Sequence, residues 1–197
     1  MRPPVYLALP LLVSCATGAP QREAPAESYV SSAELQGFCA SQPCRKNTRF
    51  TLIQADGSIF EYDSELDPPV VQEAFLTIFP SERIFLEAEE GETGPVNFRQ
   101  VDRVLDPART ITLDFRQELD SEGKGGMILD INNPFSRPIK YDLGMMLLAD
   151  ETLRKTSSCP VLPGNGVREL WSDTIFQLVF ARFRFLDNED EFFLCIE

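Results

Sequence analysis

Between Thr110 and Gln117 the chain alternates with a period of two. Ile111, Leu113 and Phe115 point one way, and Thr112, Asp114 and Arg116 the other. A helix turns once every 3.6 residues and would scatter these side chains around its circumference, whereas a strand sends them to opposite faces. The segment is therefore a half-buried strand, and it needs a second layer to cover its apolar face. The same rhythm recurs downstream. Met127, Leu129 and Ile131 alternate, and Ile139, Tyr141, Leu143, Met145 and Leu147 form the longest such row. Upstream, two short apolar runs flank Asp56-Gly57, a hairpin signal. Further strands are expected at residues 82–89 and 96–104.

The run over residues 174–186 changes parity. Phe176, Leu178 and Phe180 give way to Ala181, Phe183 and Phe185, which predicts a β-bulge or a strand passing between sheets. The closing residues 191–197 read as strand-like. One segment keeps another period: Val70, Val71, Ala74, Phe75, Ile78 and Phe79 have helical spacing, with Asp67 as N-cap, Pro68 at the first helical position and Pro80 as the stop. A short amphipathic helix is expected there. About nine short strands, turns roughly every ten residues and one helix give the expected fold: mainly β, an immunoglobulin/fibronectin-like β-sandwich with one short helix. Residues 127–147, a strand, an Asn-Pro turn and a strand, resemble the corresponding unit of fibronectin-like sandwiches such as the late-embryogenesis-abundant water-stress domains. That resemblance implies the sandwich and no activity.

The first fifteen residues carry a different message. One positive charge, Arg2, precedes an apolar run from Val5 to Val13, too short for the roughly 20 residues that span a bilayer as a helix. Leu12-Val13-Ser14-Cys15 resembles the lipobox of bacterial lipoproteins. The resemblance implies residues 1–14 as a signal peptide, a diacylglyceryl thioether on Cys15, cleavage before it and acylation of the new amino group. The chain would then be held to a membrane through its lipid in the cell envelope. By resemblance to enterobacterial lipoprotein sorting, Ala16 in place of an aspartate implies the outer membrane, facing the periplasm. An ordinary secretory leader, cut among the small residues Ala16–Ala19, is the alternative. Residues 15–36 are rich in Ala, Pro, Ser and Glu and poor in large apolar side chains, so they read as a flexible tether with a reach of roughly 25 Å. Residues 37–197 form the single folded domain, with 15 phenylalanines in the chain for its core.

Four cysteines remain: Cys39, Cys44, Cys159 and Cys195. An even count in an exported chain reads as two disulfides, and four cysteines allow three pairings. Cys39–Cys44 is favoured by its short proline-containing loop, leaving Cys159–Cys195 to tie a loop to the C-terminal segment. Cys-x4-Cys without histidine is a poor zinc pattern, so no metal site is expected.

The chain has no histidine, which removes Ser-His-Asp and Cys-His nucleophile pairs and histidine-liganded metal chemistry. It contains no Walker, dinucleotide-binding or nucleophile-elbow motif, and no cofactor is expected. A net charge of −13 argues against nucleic acid, whose phosphates demand a basic surface. It favours a cationic protein partner in the envelope, or no partner at all, since acidic surfaces commonly serve solubility alone. The acidic runs 87–92, 118–126 and 186–191 lack the spacing of a calcium loop and read as solvated hairpin tips.

Two readings follow. The first is a non-catalytic envelope lipoprotein that binds or scaffolds another envelope protein. The second is a glycan- or small-ligand-binding protein, in its catalytic form a histidine-free glycosidase, with Asp114 and Asp130 as paired carboxylates and Trp171 as a stacking platform. Trp171 also reads as a core residue beside the Cys159 disulfide. Oligomeric state is left open.

Overall fold

The computed structural model describes residues 32–149, 152–187 and 194–195. They form a mainly β structure with a short helix, α1 (Ser32–Cys39), and eleven strands. Strands β1 (Arg45–Ile53) and β2 (Ile59–Asp67) make a two-stranded hairpin. Strands β4 (Glu82–Glu90), β5 (Pro95–Val101), β6 (Thr110–Leu119), β7 (Gly125–Asn132) and β10 (Gly166–Trp171) make a five-stranded sheet in the order β10-β7-β6-β4-β5. The short β3 (Leu76–Ile78), β8 (Ile139–Leu147), β9 (Leu153–Thr156) and β11 (Ile175–Phe185) make a four-stranded sheet in the order β3-β11-β8-β9. All the strand pairs are antiparallel. The chain changes sheet at each of the steps β7–β8, β9–β10 and β10–β11. This sets β7 beside β10 and β8 beside β11, as B neighbours E and C neighbours F in immunoglobulin-type sandwiches.

The alternation in the sequence maps onto the two faces. Ile111, Leu113 and Phe115 are fully buried, as are Met127 and Leu129, while Thr112, Asp114 and Arg116 lie on the outer face. From the other sheet Ile139, Tyr141, Leu143, Leu178 and Phe180 meet them in one continuous core. The inner face of the hairpin adds an aromatic cluster in which Phe50, Phe60, Tyr62, Phe79 and Phe176 pack with ring centroids 4.9 to 6.5 Å apart. Gly57 (φ 83°) turns the hairpin as its sequence predicts. Gly94 permits a close approach of the two sheets: a Cβ there would lie 2.4 Å from the Phe183 carbonyl oxygen. The parity change in β11 is a register shift at Ala181/Arg184, where Arg182 takes φ 48°; a further shift lies at Ile175/Gln177.

The helix expected over residues 67–80 does not form. Asp67 ends β2 and accepts a 2.6 Å hydrogen bond from the Tyr62 hydroxyl instead of capping a helix. Val71 bridges Leu76 around a turn, Thr77 N–H donates to the Val70 carbonyl, and β3 pairs with β11. Two successive apolar residues every four positions also suit a tight extended turn. The β-branched Val70, Val71, Thr77 and Ile78 favour it, and the open edge of β11 supplies backbone partners that a helix could not use. The helix lies instead at Ser32–Cys39, taking in residues 32–36 that composition assigned to the tether. The strands β3, β9 and β10 were not anticipated. Of the closing segment, Leu194 and Cys195 are not in a strand, and residues 188–193 and 196–197 lie outside the described residues.

Cys39 is bonded to Cys44, closing the loop between α1 and β1, and Cys159 is bonded to Cys195. The expected signal peptide and lipidation site Cys15 fall within residues 1–31, which lie outside the described residues. Among the described residues no helix is long and apolar enough to cross a membrane.

Candidate functional site

Asp114 on β6 and Asp130 on β7 are direct cross-strand partners on the outer face of the five-stranded sheet. Arg83 on β4 stands opposite Asp114, and Arg168 on β10 stands opposite Asp130. The row therefore reads Arg83–Asp114–Asp130–Arg168 across four strands, with Arg116 bridging the two carboxylates from the next position. Arg83 Nε donates to Asp114 Oδ2 at 2.7 Å, and Arg116 Nη1 donates to Asp114 Oδ1 at 3.1 Å and to Asp130 Oδ2 at 2.8 Å. Arg168 completes the row with bonds of 2.7 and 3.0 Å to the two oxygens of Asp130. Each carboxylate oxygen is thus engaged by a guanidinium.

This electrostatic arrangement opposes acid catalysis. The Arg168 guanidinium, helped by Arg116, holds the Asp130 carboxyl below the usual carboxylate range against the effect of partial burial. A glycosidase needs one of its two carboxyls raised so that it carries a proton near neutrality. The surface depression over this row has a volume of about 290 Å³.

Trp171 does not join the pair. It lies on β10 three residues from Arg168, so it points to the opposite side of the sheet, packing against the core with Nε1 donating to Thr156 Oγ1 at 3.1 Å. Half-buried, it matches the core reading more closely than that of an exposed platform. The acidic run 118–126 is a hairpin tip in which Asp120 Oδ1 accepts the amides of Glu122 and Lys124 at 2.8 and 2.9 Å, a local turn use of the oxygen. Of the run 186–191, residues 188–191 lie outside the described residues. Among the described residues no group of three or more Asp, Glu, Cys or His is placed to hold a metal ion.

Sequence reasoning missed one opening that has two exposed phenylalanines in its lining. The turn before β3, strand β5 and the second half of β11 border a groove of about 660 Å³, with Phe38 of α1 at its rim. Phe38 and Phe75 are 45% and 38% exposed, and Phe98 and Phe183, tilted against each other with ring centroids 5.0 Å apart, also line the groove. Its polar residues include Asn97, whose side-chain amide donates to Glu89 Oε2 at 2.8 Å, and Arg182, ion-paired to Asp142. The only signal in the sequence was the odd parity of Phe183. The rest depends on the turn at 72–75, where the spacing predicts a helix. No family model, curated protein or solved structure matches this chain.

The ion-pair row makes an acid-side prediction. The Asp130 contribution to stability is complete above the unfolded carboxyl pKa of about 3.9 and is lost as pH falls through its depressed folded value. In Asp130→Asn the melting temperature should therefore depend less steeply on pH between about 2 and 4 than in the parent. Equal slopes for the two proteins would show that the pair makes no linked contribution.

Proposed function

We propose that this chain is a non-catalytic lipoprotein of the cell envelope, anchored through Cys15, whose β-sandwich holds a cationic envelope protein, with the groove beside Phe38 and Phe75 receiving an apolar side chain of that partner. The observation that carries the reading is the exposure of two phenylalanines at one opening of a domain from a chain of net charge −13. Exposed aromatic rings in a concave site are typical binding anchors, and the net negative charge of the chain favours and steers a cationic protein. The leader, the lipobox cysteine and the tether-like composition up to α1 supply the address. The arginine-bound state of Asp114 and Asp130 weighs against the glycosidase alternative, and the inward-facing Trp171 weighs against a sugar platform.

Two measurements test this. Mass spectrometry of the mature protein from its own host should find an acylated cysteine at position 15; an intact Met1 form would remove the envelope reading. The soluble domain should bind a basic lysozyme-type enzyme at low ionic strength and lose at least roughly tenfold in affinity at 0.5 M salt. Phe75→Asp should lower the affinity at both salt concentrations. Salt-independent binding would remove the charge argument, and unchanged binding by Phe75→Asp would remove the groove.

A further inference from the structure

Of the four lysines in the chain, Lys46, Lys124 and Lys155 are exposed, whereas Lys140 is 4% exposed. Its position on β8 is on the outer side of the four-stranded sheet, since Ile139 and Tyr141 on either side of it face the core. Its amine reaches the two arms of the Cys159–Cys195 bridge. Lys140 Nζ donates to the carbonyl of Ser158 and, at 3.3 Å, to the carbonyl of Leu194. These are the residues immediately before the two bonded cysteines, so the ammonium sits between the two arms of the disulfide. The Cys159 arm has supports of its own. Ser158 Oγ donates to the Tyr141 carbonyl at 2.7 Å, and Cys159 N–H donates to Glu169 Oε1 at 2.6 Å. The Cys195 arm is exposed, with Leu194 at 47%. Burial pushes the Lys140 ammonium below its usual range and Arg184, opposite it on β11, adds to this, while Glu169 and Asp142 oppose it.

We propose that the Cys159–Cys195 disulfide is a redox-sensitive latch that caps the Lys140 amine, and that its reduction by a dithiol uncovers this one lysine while the sandwich stays folded. The chemistry is thiol–disulfide exchange. A thiolate of the dithiol attacks the Sγ of Cys195, on the exposed arm, and forms a mixed disulfide, while the bonding pair leaves on Cys159 Sγ, which takes up a proton. The second thiol of the dithiol then displaces the Cys195 thiolate, which is protonated in turn. The protein cystine gains two electrons, and the dithiol is oxidised to its own disulfide. Leu194 is then held near Lys140 by no covalent link from Cys159, and the ammonium loses its second carbonyl. It becomes a solvent-facing cation beside Arg184, so reduction exposes a positive charge on this face. The latch belongs to the fold and stands whether or not the partner reading above does.

The test is amine labelling of the full chain with N-hydroxysuccinimidyl acetate at pH 8, followed by peptide mass spectrometry. In the oxidised protein Lys140 should acetylate at least roughly tenfold more slowly than Lys124 or Lys155. After treatment with dithiothreitol its rate should approach theirs, with their rates unchanged. A Cys159→Ser/Cys195→Ser double variant, which keeps the Cys39–Cys44 bond, should show the fast rate without reductant. Far-UV circular dichroism of each sample must keep its strand signal. Three results would overturn the proposal: fast labelling in the oxidised protein, continued protection in the reduced or double-variant protein, or loss of the strand signal on reduction. The last would make the bond a general support of the fold.

Discussion

Arg45→Lys should lower the folding stability by about 3 kcal/mol, with the charge retained. The reason is the number of donors that Arg45 places. The residue is 9% exposed, and all five of its guanidinium N–H groups have acceptors. Nε and Nη2 grip the two oxygens of Glu82 at 2.7 and 3.0 Å. Nη1 reaches the Pro68 carbonyl at 2.8 Å and Thr77 Oγ1 at 3.1 Å, and Nη2 reaches the Thr77 carbonyl at 2.6 Å. The guanidinium also lies 4.8 Å from the centre of the Phe79 ring. One side chain thereby joins the hairpin, the segment leading into β3 and the first strand of the five-stranded sheet. Lysine has three donors on a point charge and cannot match the planar fork, which leaves Glu82 and the Thr77 carbonyl short of partners in a largely buried site. Arg45→Met should cost more, about 3–5 kcal/mol, because the Glu82 carboxylate then loses its counter-charge. Urea unfolding measures both. If Arg45→Lys lay within 0.5 kcal/mol of the parent, the five-donor junction would not be a stabilising feature.

Phe115→Ala should cost about 3–5 kcal/mol, the range for a large buried aromatic ring replaced by a methyl group. Phe115 has no exposed surface and lies in the middle of the inner face of β6. Its removal leaves a cavity between the two sheets, and the backbone on either side is fixed by pairing with β4 and β7. Thr112→Ala on the same strand, on the outer face, should cost under about 1 kcal/mol. For a domain of this size the first change should lower the melting temperature by on the order of 10 °C, and the second by no more than about 3 °C. Similar shifts for the two variants would mean that the inside and outside of the sheet had been wrongly assigned.

Much of the fold was legible because a two-residue period is a local signal. The parity of Ile111, Leu113 and Phe115 and of Ile139, Tyr141 and Leu143 told which faces would be buried, and the broken parity near Ala181 told where β11 would lose register. Asp56-Gly57 marked the hairpin for a similarly local reason, the positive φ that Gly57 adopts. The segment 67–80 misled because two apolar residues in every four satisfy both a helix and a tight extended turn. Only the free edge of β11 decides between them, and that edge is made about a hundred residues later in the chain.

The candidate site was legible as residue types and not as chemistry. Asp114 and Asp130 are indeed neighbours, yet the arginines that neutralise them come from β4 and β10 as well as from β6. Their arrival depends on sheet order, about which spacing within a strand says nothing.

The sequence by itself determined the mainly β class, the faces of the long strands and the absence of histidine chemistry, since each depends on composition or on neighbours one or two positions away. Tertiary structure alone decided the junction at Arg45, the arginine row over Asp114 and Asp130, the inward turn of Trp171, the phenylalanine groove and the burial of Lys140. Each of these brings together groups from strands distant in the chain. Which strands become neighbours is set by how the apolar faces of the whole domain close on one another.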